Sequence, residues 1–199
     1  MKRYLLLVPM FFASGAWAQR VQNMDIFFLA GPSFTKTQMI GGTNISVYGS
    51  TGYSSSTGYG YQIMRKSAVS LWVEILPFIF VSPSAETGSI PGSIILNSTM
   101  YLPSARVMFP VHQRISLFGA LGAGYGSFNN PNLTSDNPPD LKTSSVGHLV
   151  VGAGGGADIR LTRMFSFRVD VRDYITGRGV SGVPGRNHVL PMMGFAFHF

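Results

Sequence analysis

The stretch FSFRVDVRD, residues 165–173, decides the fold. Polar and apolar side chains alternate along it without a break. The apolar positions are Phe165, Phe167, Val169 and Val171, and the polar ones are Ser166, Arg168, Asp170 and Arg172. Because successive side chains of a β-strand point to opposite faces, this period of two predicts a strand with one apolar and one polar face.

Similar segments recur along the chain. In the last one, Val189, Pro191, Met193, Phe195, Phe197 and Phe199 share one face, and small or mixed residues share the other. No run of 18 apolar residues follows the N-terminus, and no long stretch has helical periodicity. The pattern predicts eight strands, near residues 24–34, 57–65, 68–80, 98–109, 115–127, 146–160, 165–174 and 188–199.

The connections between these strands alternate between long and short. They take about 22 residues (35–56), then two, then 17 (81–97), then five, then 18 (128–145), then four, then 13 (175–187). Outer-membrane barrels have short periplasmic turns and long outer loops. The pattern therefore predicts an all-β fold, an eight-stranded antiparallel up-and-down transmembrane β-barrel, and we expect it to be monomeric because closure leaves no edge strand.

The two faces of the strands suit a barrel in lipid. The apolar register would place Phe109, Phe165, Phe197 and Phe199 near the short turns, and Tyr59, Tyr101 and Tyr125 near the long loops, as two aromatic girdles. The inward register collects Glu74, Arg106, Asp158, Arg160, Arg168, Asp170 and Arg172, together with Trp72, Phe118 and His148. Since a charge that faces lipid costs about 2 to 4 kcal/mol at the midplane, we expect these charges to pair in the lumen as a structural network. A narrow ion path is the other interpretation.

The N-terminus indicates export. Lys2 and Arg3 precede an apolar run that ends at Ala16-Trp17-Ala18, which is typical of a signal peptide over residues 1–18 and leaves 19–199 as the barrel domain. The full chain has 15 Lys and Arg against 8 Asp and Glu, and loss of that segment removes two cations. No run of five basic residues exists, so we expect no nucleic-acid partner.

Sites for catalysis or cofactors are weakly indicated. The chain has no Cys, and its four His residues follow no recognisable metal spacing, so we expect no metal, no cofactor and no enzyme activity. Residues 152–156 approximate a dinucleotide fingerprint, but an alternating strand follows instead of a helix, so inward glycines in a small barrel explain them better. The loops 49–58 and 129–139 are rich in Gly, Ser, Asn and Pro, which predicts mobility.

The C-terminal sequence GFAFHF, residues 194–199, resembles the assembly signal of bacterial outer-membrane proteins, with Gly194, Phe197 and Phe199 at the matching positions and Met192 where a polar residue is usual. Residues 24–199 as a whole resemble the barrel group of OmpA, OmpX and the opacity proteins, through strand count and loop rhythm. The resemblance implies a bacterial outer-membrane location, with outer-membrane lipid and the barrel assembly machinery as partners.

Three hypotheses for function follow. The first is a structural or adhesive surface protein that meets a host or surface ligand through its loops, above all through Tyr48, Tyr53 and Tyr59 around loop 35–56, because Tyr gives contact area at low entropic cost. The second is a narrow pore or a transport barrel for small solutes. The third, a soluble lipocalin-like binder, needs an apolar interior and a polar exterior.

Overall fold

The computed structural model describes residues 22–34, 38–39, 46–49, 51–66, 68–82, 84–87, 93–95, 97–133, 141–176 and 187–199. The predicted signal peptide, 1–18, lies outside the described residues. None of the described residues belongs to a helix that is long and apolar enough for a membrane span.

The described chain forms 13 strands in two antiparallel sheets. The larger sheet contains β1 (Met24–Phe34), β4 (Thr51–Lys66), β5 (Val69–Ser82), β8 (Ser98–Tyr101), β9 (Ser104–His112), β10 (Ile115–Leu133), β11 (Leu141–Arg160), β12 (Phe165–Ile175) and β13 (Asn187–His198). The smaller sheet contains β2 (Gln38–Met39), β3 (Ser46–Gly49), β6 (Ser84–Thr87) and β7 (Ser93–Ile95).

The larger sheet closes into a ring, because β1 pairs with β13 on one side and with β4 on the other. The stagger of the strands is measured by following one row of paired residues around the ring and counting how far from its starting pair the row returns. The row runs through Asp25, Gly60, Glu74, Ser104, Gly122, Gly152, Tyr174 and His188. Asp25 itself pairs with His198, ten residues further along β13. Strands in such a sheared barrel are tilted from its axis.

The ring has eight strand positions, as predicted, because β8 and β9 together fill the fourth. They flank Leu102 and Pro103, and both pair with β5 and with β10. Proline has no N–H to donate to a neighbouring strand. The carbonyl of Pro103 still accepts a hydrogen bond from the Ala123 N–H at 3.2 Å, which keeps this part of the wall closed.

We call the end of the barrel that holds Met24, Phe199 and the short turns the turn end, and the opposite end the loop end. At the loop end the strands are longer than predicted. β4 begins at Thr51 instead of 57, and β10 and β11 pair out to Leu133 and Leu141. The prediction that 51–56, 128–133 and 141–145 belong to connections is therefore wrong. The serines of β4 pair fully with β1, and Ser54 Oγ donates to the Gly31 carbonyl at 3.0 Å.

The smaller sheet joins two of the long connections. Its order is β2-β3-β6-β7, so β3 from residues 35–50 pairs with β6 from residues 83–97. The sequence gives no periodic signal for these short strands. The backbone ladder between them means that the two connections form one unit at the loop end.

The outward face of the barrel is apolar. Leu149, Phe28 and Leu121 are 78%, 65% and 62% exposed, and aliphatic and aromatic residues of all eight positions share this face. The inward face holds a buried cluster of Phe27, Leu29, Ile79, Met100, Leu102, Phe128, Val150, Tyr174, Leu190, Met192 and Ala196. An apolar exterior is the arrangement of a barrel in lipid and is opposite to that of the lipocalin-like hypothesis.

Aromatic residues mark both rims of this belt, with one correction. Tyr101 and Tyr125 pair with each other towards the loop end, and the ring of Phe197 contacts those of Phe165 and Phe199 at the turn end. The ring of Tyr59 lies 6.2 Å from that of Phe199, so Tyr59 belongs to the turn-end group and not to the loop-end girdle. The reason is the early start of β4, which places Tyr59 eight residues inside the strand.

Candidate functional site

A layer of ionised side chains crosses the lumen below the apolar cluster. Its members are Asp25, Glu74, Arg106, Asp158, Arg168, Asp170 and Arg172, all of them buried. They reach the same level because each has the inward register on its strand and because the stagger of the strands brings distant positions together.

Arg168 is the centre of one half of the layer. Its Nε donates to Asp158 Oδ1 at 2.6 Å, and its Nη2 donates to Asp158 Oδ2 and to Asp25 Oδ2, both at 2.8 Å. Arg106 Nη2 donates to the same Asp25 oxygen at 2.5 Å. One carboxylate oxygen of Asp25 therefore accepts from two guanidinium groups.

Arg172 and Glu74 are the centre of the other half. The two side chains form a forked pair, with Arg172 Nη1 and Nη2 at 2.8 and 3.0 Å from the two Glu74 oxygens. Arg172 Nε also donates to Asp170, and Ser104 Oγ donates to Glu74 Oε2 at 2.5 Å. Arg106 links the halves, because its Nη1 lies 3.4 Å from Glu74 Oε1. Paired carboxylates and guanidiniums of this kind hold a fixed geometry.

The structure changes the membership of the predicted network at two positions. Asp25 joins it, although the sequence pattern of β1 does not indicate which of its faces is inward. Arg160 has the inward register, but it is the last residue of β11 and its side chain is exposed at the turn end. The buried layer thus holds three guanidiniums and four carboxylates, a formal charge of −1.

Aromatic and apolar side chains close the lumen on both sides of the charges. Trp72, Met108 and Phe118 form a small cluster towards the turn end. The guanidinium carbon of Arg106 lies 5.1 Å from the Trp72 ring centroid, and that of Arg168 lies 5.1 Å from the Phe27 ring centroid. Arg106 and Arg168 are 0% exposed, so no water-sized space touches either residue. His148 lies nearer the loop end, where its ring is 6.2 Å from that of Phe128.

A serine–histidine pair that the sequence did not predict lies next to the charges. Ser166 Oγ and His198 Nε2 are 2.8 Å apart, on the neighbouring strands β12 and β13. Both residues have the inward register, which is the signal that could have found them. Ser166 is 1% exposed and His198 is 4% exposed, and both residues line a cavity at the turn end.

The predicted loop tyrosines lie in three different places. Tyr53 is 53% exposed on β4 and pairs with Pro32 and Ser82 near the loop end. Tyr48 lies in β3 of the smaller sheet, opposite Glu86, and its side chain is outside the described residues. Tyr59 lies at the turn end, as stated above, so it is not a loop contact. The assembly role of Gly194, Phe197 and Phe199 stays a prediction.

Among the described residues, no group of three or more His, Asp and Glu side chains has a geometry that could hold a metal ion. The carboxylates of the lumen instead accept hydrogen bonds from guanidiniums. A guanidinium has no lone pair to offer a metal ion.

The barrel defines a class, because its closure, stagger and apolar exterior are those of the small outer-membrane β-barrels. Solved structures of that class match it across most of the chain. Neisserial surface protein A matches with a TM-score of 0.61 at 13% identity, over 88% of this chain and 97% of that chain. The outer membrane protein OprG from Pseudomonas aeruginosa matches with a TM-score of 0.51 at 14% identity, over 91% of this chain and 98% of that chain. No family model matches the sequence, and no curated protein sequence matches it.

Proposed function

We propose that the chain is a monomeric bacterial outer-membrane β-barrel with a structural or adhesive role, that it acts through its loop end, and that it is not an enzyme. The observation that carries the proposal is the closed lumen. Arg106 and Arg168 are 0% exposed, and they lie between the apolar cluster that contains Phe27 and the smaller cluster towards the turn end. A protein with a packed lumen meets soluble ligands at its ends.

The loop end supports contact with a large ligand. The ladder of β3 and β6 ties two long connections together, and β10 and β11 contain 19 and 20 residues, whereas a strand needs about 9 to 11 to cross a bilayer. Strands of that length carry the wall beyond the apolar belt. A joined, raised surface loses less conformational entropy on binding than separate loops do.

Replacement of residues 36–49 by a short Gly-Ser linker tests the adhesive role. The change removes β2 and β3 and leaves the paired part of β4 intact. We expect cells that display the variant to lose binding to host-cell surfaces and to immobilised extracellular matrix, because the joined loop surface is gone. Replacement of residues 134–140 is the matched control. Unchanged binding at equal surface display, measured by antibody labelling, contradicts the adhesive role and leaves the structural one.

One observation favours the runner-up, a narrow pore. Arg106 Nε and Arg168 Nη1 have no hydrogen-bond partner. The hydrogen-bonding capacity of the layer is therefore not fully used, and a different arrangement of its side chains could gain hydrogen bonds. Conductance of the purified protein in a planar bilayer separates the two functions. We expect no steady current from the native protein or from Asp170→Ala. A current that changes with Asp170→Ala supports the pore.

A further inference from the structure

A cavity opens at the turn end of the barrel, outside the sealed lumen. Its volume is about 190 Å³, and its walls come from the ends of several strands and from the turn at residues 113–114. Arg65, Arg114, Arg160 and His112 line it, with Trp72 at its inner side. The proposed function makes no use of this space.

The walls of the cavity have an excess of positive charge. Each of the three arginines is exposed, and the ion pairs among the described side chains use other arginines, namely Arg106, Arg168 and Arg172. Asp158 also lines the cavity, but Arg168 holds both of its oxygens. Among the described residues, none of the three cavity arginines has a carboxylate within ion-pair distance.

The backbones of two of these arginines, Arg114 and Arg160, lie next to each other. The Arg160 N–H donates to the Arg114 carbonyl at 2.7 Å, which joins the end of β11 to the turn between β9 and β10. Arg65 reaches the cavity from the end of β4, opposite Ser70 on β5. Like charges held close together repel, and an anion between them relieves the repulsion.

We propose that this cavity is a binding site for a phosphate group. Guanidiniums bind phosphate oxygens through two parallel hydrogen bonds, and three of them can surround one tetrahedral anion. The imidazole of His112 and the amides of Gln62 and Gln113, which also line the cavity, supply further donors. The phosphate comes either from a soluble phosphorylated compound or from the headgroup of an anionic phospholipid at the rim.

Trp72 makes the site measurable. The chain has two tryptophans, Trp17 and Trp72, and Trp17 lies in the predicted signal peptide, so protein refolded from residues 19–199 keeps Trp72 as its one fluorophore of this type. In non-ionic detergent, inorganic phosphate is titrated at constant ionic strength against sodium chloride. We expect a saturable change of Trp72 fluorescence. In a second arm, the protein is refolded into phosphatidylcholine vesicles with and without phosphatidylglycerol.

The substituted protein carries Arg114→Gln and Arg160→Gln. We expect its phosphate affinity to fall by about tenfold or more, since it loses two charged donors. The control carries Lys142→Gln and Arg163→Gln, which remove the same charge at residues that do not line the cavity, and it should bind as the native protein does. Gel mobility without boiling shows that each variant is folded.

The two arms separate the sources of the phosphate. A saturable response to inorganic phosphate supports a soluble ligand, and a response confined to phosphatidylglycerol vesicles supports the lipid headgroup. The absence of a response in both arms overturns the proposal, and so does a response that persists unchanged in the Arg114→Gln, Arg160→Gln protein. Neither result bears on the loop-end function, which is measured by adhesion.

Discussion

At the scale of the residue, Asp25 is the carboxylate that two buried arginines share. It is fully buried, and its Oδ2 accepts from both Arg106 and Arg168. A buried charge without a partner is strongly destabilising, whereas a paired one is tolerated. Asp25 thus allows two guanidiniums to remain inside the lumen.

Asp25→Asn should lower the free energy of unfolding by about 3 kcal/mol, because it removes the shared counter-charge and keeps the shape of the side chain. Urea unfolding of the refolded barrel, followed by gel mobility, measures the change. Arg160→Gln is the control, and as an exposed substitution it should stay within about 0.5 kcal/mol of the native protein. Equal effects of the two substitutions would contradict the membership of the layer given above.

The sequence could predict most of this layer but not all of it. Arg168, Asp170 and Arg172 stand in a strand whose other face is apolar, so their direction is evident from alternation alone. Asp25 is followed by apolar residues on both registers, Ile26 and Phe27 among them, so the pattern of β1 does not reveal its inner face. Arg160 has the right register, but register does not tell how far a strand extends into the closed lumen.

At the scale of the element, glycines allow the strands of the wall to come close. A Cβ at Gly154 would overlap the Val171 carbonyl of β12, whereas a Cβ at Gly119 would meet nothing nearer than the Gly154 carbonyl at 3.9 Å. Both glycines lie in the hairpin of β10 and β11, where Gly119 pairs with Gly155 and Gly154 pairs with Ala120. Their environments therefore differ much more than their sequence context does.

Gly154→Ala should destabilise the barrel by about 1 to 3 kcal/mol, because the added methyl group forces the backbones of β11 and β12 apart. Gly119→Ala should be neutral or should stabilise by up to about 1 kcal/mol, because alanine loses less entropy than glycine in a strand. The same urea titration compares them. The account of close approach fails if Gly154→Ala is the more stable of the two.

The strand boundaries show where prediction from sequence ends. β12 and β13 were predicted to within one residue because their apolar alternation is strong. Ser54, Ser55 and Ser56 have no such alternation, and their strand structure depends on pairing with β1, which is a tertiary effect that propensity does not contain. The ladder of β3 and β6 depends in the same way on contacts between segments that lie far apart in the chain.

At the scale of the whole molecule, an apolar exterior surrounds an ionised and closed interior. That arrangement is stable in lipid, where closure of the ring leaves no edge strand with a row of unpaired backbone groups. The alternation of long and short connections predicted the topology correctly, because short connections suffice at one end of an up-and-down barrel and the other end is free to vary. Neither the arrangement of the two faces nor the lengths of the connections identifies the ligand at the loop end.

The central claim is that the chain forms a closed barrel in a membrane, and gel mobility tests it most directly. Envelope fractions of cells that express the protein are compared before and after boiling. The account predicts that the protein is found in the detergent-insoluble envelope fraction and that the unboiled form migrates differently from the boiled one, because the closed ring resists the detergent of the gel. Recovery as a soluble periplasmic protein with the same mobility in both lanes would contradict it.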